Sequence, residues 1–185
     1  MDHVVLFTGL SSSISPKLRK WAYHLEGVIE GITFDEDGID AKVEIWDDWR
    51  DTLRLILADP DPGIIMVFGH SNGVYAGNEL INALEKHGIT VHYYAAIDPT
   101  LKRFPSLGSN VEVVDQFNAT SGIVAIGRKL SCGKLGKLHP ARRFTGKLTS
   151  YTVKGSHTGI ASSSKLRKIV KKSLAKVMGD FHGQG

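Results

Sequence analysis

The sequence predicts an α/β protein, a three-layer sandwich with a mostly parallel sheet of about six strands. Two observations carry that expectation. The apolar run 64–68 is too short and too β-branched for a free helix, 4–8 and 90–97 read as further strands, and segments with apolar spacing of three or four residues alternate with them. Gly, Pro, Ser and Asp clusters punctuate the joins. At 185 residues, with 42% hydrophobic and 23% charged side chains, the chain reads as a single domain over 1–185 with a sizeable core.

The first strand, 4–8, ends at Gly9-Leu10 and the serines at 11–13. Pro16 suits the first turn of a helix whose apolar face is Leu18, Trp21, Ala22, Leu25 and Val28 or Ile29. A polar loop follows over 31–38. In the strand 41–46, Val43 and Ile45 alternate with charge, as an outer strand with one wetter face does. Asp47, Asp48 and Asp51 favour a helix N-terminus, and Asp59-Pro60-Asp61-Pro62 stops that helix. Ile64 to Phe68 leads into Gly69-His70-Ser71-Asn72-Gly73, then a helical pattern (Leu80, Ile81, Leu84) that Gly88 ends. A strand over 90–97 stops at Asp98-Pro99, a fifth spans 111–114, and a sixth spans 149–154 before Gly155-Ser156-His157. The last helix starts near the serines 162–164 and lines one side with Leu166, Ile169, Val170, Leu174, Val177 and Met178. Residues 116–147 are glycine-rich and basic and show no clear period.

Charge is segregated. Residues 1–115 hold 18 of the 19 acids and 9 of the 23 bases, whereas 116–179 contain 14 Lys or Arg and no acid. Either the two halves neutralise each other in the fold, or the basic 116–179 region meets an anionic surface. The lone Cys132 makes no internal disulfide, the N-terminus lacks the pattern of a secretory signal, and no run is apolar enough to span a bilayer. A cytoplasmic protein is expected, with neither metal nor organic cofactor.

Strand, G-x-S-x-G, then helix is the context of a nucleophile elbow, which puts the Ser71 hydroxyl above the sheet. A serine needs a base to take its proton. His157 is the candidate, in a flexible turn just after the last strand; His70 points away from the hydroxyl and packs behind it. The imidazole needs a carboxylate to orient it. Asp98, at a clean strand end before Pro99, is favoured, with Asp115 after 111–114 as the alternative. Oxyanion donors are expected from the amides of Asn72 and, in the loop after the first strand, Leu10, with Ser11 in reserve.

The order Ser, Asp, His on this alternation, with Gly-His-Ser-Asn-Gly at the elbow, resembles the α/β-hydrolase superfamily over nearly the whole chain. The resemblance implies a reduced hydrolase, close to small lipase-, cutinase- and thioesterase-like members, whose first strand matches the third of the family's eight. It implies Ser71 as nucleophile, His157 as base, and Asn72 and Leu10 as oxyanion amides. Most members place the acid one strand later, which favours Asp115; a minority use the position of Asp98. Residues 116–147 would supply a partial cap, with Phe117 and Phe144 as apolar contacts and Phe104 projecting from another loop; Ser11, Phe104 and Phe117 are the expected substrate-binding residues, with core packing the other role open to the phenylalanines.

The leading expectation is a serine hydrolase for a small acyl ester or thioester. The competing one is a hydrolase-fold protein without turnover that binds an anionic partner through its basic half. A cysteine enzyme on Cys132 ranks last for want of a strand–turn–helix context, and Gly133-Lys134-Leu135 lacks the hydroxyl of a phosphate-binding loop.

Overall fold

The structure, a computed structural model, describes residues 1–8, 43–46, 48–132 and 134–182. The expected helix beginning at Pro16, the loop 31–38, Leu10 and Ser11 lie outside the described residues.

Six parallel strands form one sheet among the described residues. They are β1 (His3–Phe7), β2 (Val43–Trp46), β3 (Ile65–His70), β4 (Val91–Ile97), β5 (Val111–Ala119) and β6 (Lys147–Val153), ordered β2-β1-β3-β4-β5-β6. The helices are α1 (Trp49–Ala58), α2 (Gly73–Glu85), α3 (Ile123–Leu130) and α4 (Ser164–His182). The chain runs outward from β1 to β2, then returns to the other side of β1 and builds β3 to β6. The carboxyl ends of strands flanking such a reversal, here β1 and β3, are where sheets of this kind bind ligands.

Every residue of β1 and β3 is buried, so alternate side chains feed two cores. Val4, Leu6, Met66, Phe68, Tyr93 and Ile97 pack on the face that receives Leu166, Val170 and Leu174 of α4. Val5, Phe7, Val67 and Tyr94 face the other way, against Ile56 of α1 and Leu80, Ile81 and Leu84 of α2. Three layers follow. The Asp48 carboxylate caps α1 by accepting the Arg50 N–H at 2.9 Å, and Asp59 closes it.

Two expectations need correction. The fifth strand does not stop at 114 but runs to Ala119, carrying polar residues through the core because each finds a partner. Asp115 accepts from the Tyr93 hydroxyl (3.1 Å) and the Ser173 hydroxyl (2.6 Å), while Gln116 donates to the Gly136 carbonyl and accepts the Leu138 N–H. The segment 116–147 is therefore the end of β5, helix α3 and a loop, and not one irregular cap. Phe117 belongs to β5, is fully buried and stacks on Tyr151 with centroids 5.4 Å apart. Phe104 is buried in the core shared with α2. Both pack in the core, the alternative role the sequence left open for them. Phe144 is partly buried against that same core.

The turn after β3 requires glycine at one point above all. A Cβ on Gly69 would lie 2.8 Å from Val74 Cα and 2.9 Å from the Gly73 oxygen, backbone that cannot step aside. Gly69→Ala is expected to cost about 1–3 kcal/mol, seen as a lower urea midpoint at unchanged slope. An unchanged midpoint would show that the turn is looser than described.

Candidate active site

Ser71, Asp98 and His157 each stand just past the carboxyl end of a strand, β3, β4 and β6 respectively. Ser71 adopts φ +59°, a left-handed conformation that a serine enters only under constraint. Its N–H donates to the Ile97 carbonyl at 3.0 Å, and α2 begins two residues later. Asp98 is likewise left-handed at φ +42°, its N–H bound to the Phe117 carbonyl at 2.7 Å. The extra length of β5 thus supplies the anchor for Asp98.

His157 sits in a turn closed by the Ile160 N–H to the Ser156 carbonyl (2.9 Å) and the Gly159 N–H to the Ser156 hydroxyl (3.2 Å). The structure brings the three side chains into one line. Ser71 Oγ lies 2.8 Å from His157 Nε2, and His157 Nδ1 lies 2.6 Å from Asp98 Oδ2. Burial pushes the Asp98 carboxyl up, but its bonds to His157, the Ala119 N–H and Arg128 outweigh that and hold it below the ordinary range. An ionised carboxylate only accepts, so Nδ1 carries the imidazole proton and Nε2 is left to accept from the serine. Asp115 stands in mid-sheet beside Ala95, bonded to Tyr93 and Ser173, with burial raising its carboxyl.

Asn72 ends the turn as the N-cap of α2, and its amide is at the positive end of that helix. Its side chain accepts from Lys102 Nζ at 2.8 Å, which places a cation at the rim of the site. Leu10 and Ser11, the other expected contributors, fall outside the described residues. Cys132 is exposed in the turn after α3.

Two residues matter more than the sequence suggested. His70, buried at the end of β3, donates from Nε2 to the His157 carbonyl at 2.9 Å, and its ring lies 4.7 Å from the His157 ring. It holds the backbone of the triad histidine candidate. Arg128 on α3 donates to Asp98 Oδ1 at 2.9 Å. The signal that could have revealed it was Ile123, Ile126 and Leu130 at i, i+3 and i+7, a helical stripe on the face opposite Arg128. That stripe is exposed, and an outward apolar stripe on eight residues is a weak signal. An open cleft of about 930 Å³ lies at the other end of the sheet, between the starts of β4 to β6 and the end of α4. The aligned side chains, and not that volume, mark the candidate site.

No family model and no curated protein matches the chain. Solved structures do. A serine hydrolase without a lid from Xanthomonas campestris aligns at 12% identity and TM-score 0.55, covering 94% of this chain and 81% of that one. The NocB thioesterase domain, solved as a covalent complex with a fluorophosphonate nocardicin G analogue, aligns at 12% and 0.53, over 97% and 95%. The thioesterase domain that cyclises the lipopeptide antibiotic surfactin aligns at 11% and 0.52, over 95% and 90%. These likenesses show that the chain has the α/β-hydrolase fold.

Burial lowers the His70 pKa from 6.5 to about 4, against the opposing pull of its bond to the His157 carbonyl. The unfolded chain therefore takes up a proton that the folded one refuses. This contribution to stability is complete above pH 6.5 and is lost as pH falls toward about 4. The loss is about 3 kcal/mol. In urea unfolding, the stability advantage of wild type over His70→Asn is expected to shrink as pH falls through that window. A gap that stays constant would contradict the assignment.

Proposed function

We propose that this α/β-hydrolase fold carries a serine hydrolase that cleaves a carboxylic ester or thioester through an acyl-enzyme on Ser71. The observation that supports it is the continuous hydrogen-bonded line from Ser71 Oγ through the His157 ring to Asp98. In this reading Ser71 Oγ attacks the acyl carbon while His157 Nε2 takes the hydroxyl proton. The imidazolium so formed is stabilised by the buried Asp98 carboxylate, which stays ionised. The carbonyl oxygen becomes an oxyanion, and the Asn72 N–H at the start of α2 is the donor aimed at it; Leu10 remains the proposed second donor. Such a donor contributes roughly 10²–10³-fold in kcat.

Collapse of the adduct expels an alkoxide or thiolate, which takes the proton back from His157 Nε2. Water then attacks the acyl-enzyme, again losing its proton to His157, and the released acid leaves Ser71 protonated as before. Every proton in the cycle passes through one nitrogen. Tyr75, exposed on the first turn of α2, is an aromatic surface close in the chain to the nucleophile.

For the competing non-catalytic reading, the supporting feature is the row of exposed lysines along α4, among them Lys165, Lys168, Lys172 and Lys176. A helix that buries one side and solvates the other explains that row without a partner.

Hydrolysis of p-nitrophenyl esters of increasing chain length, beside an acyl thioester, tests the function and its preference. Ser71→Ala is expected to abolish turnover. Asp98→Asn should lower kcat by about 10³–10⁴-fold, as losing the correct tautomer does. Asp115→Asn should leave kcat within a few-fold of wild type. The reverse ranking of the two aspartates would move the acid to β5, and full activity in Ser71→Ala would remove the mechanism.

A further inference from the structure

The Asp98 carboxylate has more to satisfy than one imidazole. Oδ2 faces His157, while Oδ1 accepts both the Ala119 N–H and Arg128 Nη2, each at 2.9 Å. The carboxylate is fully buried, and Arg128 is 15% exposed. The same guanidinium nitrogen also reaches the Pro99 carbonyl at 3.4 Å, so it grips the residue after the acid as well. Helix α3 is seated to deliver it. A side chain at Gly127 would run into Leu101, in the loop after Asp98, and a Cβ added to Gly122 at the helix start would lie 4.0 Å from the His157 backbone nitrogen.

We propose that Arg128 is a positioning residue for the acyl-transfer site: its guanidinium fixes the Asp98 carboxylate against His157 and draws off part of its charge. Two effects with different signatures follow. Fixing the carboxylate holds the imidazole in line with Ser71, which favours turnover. Sharing its charge with a cation weakens the hold of Asp98 on the imidazolium formed during turnover. Among the described residues, the side chains bonded to or stacked on this pair are Ser71 and His70 from β3 and its turn, and Arg128 from α3, while the Lys102 ammonium at the rim of the site binds the Asn72 side chain. His70 stays neutral down to about pH 4. Arg128 is therefore the cation bonded directly to the pair.

The test compares wild type, Arg128→Met and Arg128→Lys in two measurements. The first is the pH dependence of kcat and KM on a short p-nitrophenyl ester. The second is the downfield proton resonance of the His157–Asp98 hydrogen bond in the resting protein. Arg128→Met is expected to lower plateau kcat by about 10- to 100-fold with KM little changed. It should also move the acid limb of the profile to higher pH by roughly one unit. Arg128→Lys, which keeps the charge without the fork, should restore the limb while kcat stays reduced, and it serves alone if the Met variant does not fold. The resonance should shift or broaden in both variants. The kinetic arm rests on the ester-hydrolase reading, whereas the resonance does not: a wild type without esterase activity sinks that reading alone. A resonance unmoved in Arg128→Lys, or a profile for Arg128→Met that superimposes on wild type, overturns the role of Arg128.

Discussion

A carboxylate shut away from water sets the terms for this site. Asp98 is fully buried and left-handed, yet its bonds keep it ionised. A buried charge stripped of its partners costs on the order of 3–5 kcal/mol, so His157, the Ala119 N–H and Arg128 must all be in place together. Each comes from a different element: the turn after β6, the end of β5, and α3. One side chain therefore joins three distant parts of the chain, and the orientation of the histidine is a consequence of that joint.

The sheet explains why such a joint can exist. In a parallel sheet all strands end on one side, and β3, β4 and β6 deliver serine, aspartate and histidine to that side. Two of the three residues occupy left-handed conformations at the strand ends, each costing on the order of 1–3 kcal/mol. Hydrogen bonds across neighbouring strands, Ser71 N–H to Ile97 and Asp98 N–H to Phe117, offset that strain. The rigid layers below, packed by α1 and α2 on one face and α4 on the other, keep both turns from relaxing.

The elbow was legible in the sequence because its chemistry leaves little choice: Gly69 has no room for a side chain, and the strand before it is apolar throughout. The strand end at Asp98 was legible as a buried run stopped by Pro99, whereas the one before His157 was marked by Gly155 after a strand that is mostly exposed or half-buried. The end of β5 was not. Asp115 and Gln116 look like the close of a strand, and only tertiary partners, the hydroxyls of Tyr93 and Ser173 and the backbone of Gly136 and Leu138, allow the ladder to continue past them. Phe117 was misplaced through that same error. Helix α3 escaped notice because it is eight residues long and leaves Ile123, Ile126 and Leu130 in solvent, so its pattern reads as noise in a basic loop. Arg128 was hidden with it.

In the proposed function, the Ser71 hydroxyl is activated by the histidine and aspartate beside it. The most direct measurement is mass mapping of the folded protein after treatment with a fluorophosphonate, which phosphonylates a serine only where a neighbouring base removes its proton. The account predicts one adduct per chain, located on Ser71 and lost in His157→Ala. No adduct on the folded wild type, or label spread over other residues with Ser71 unmodified, would contradict it.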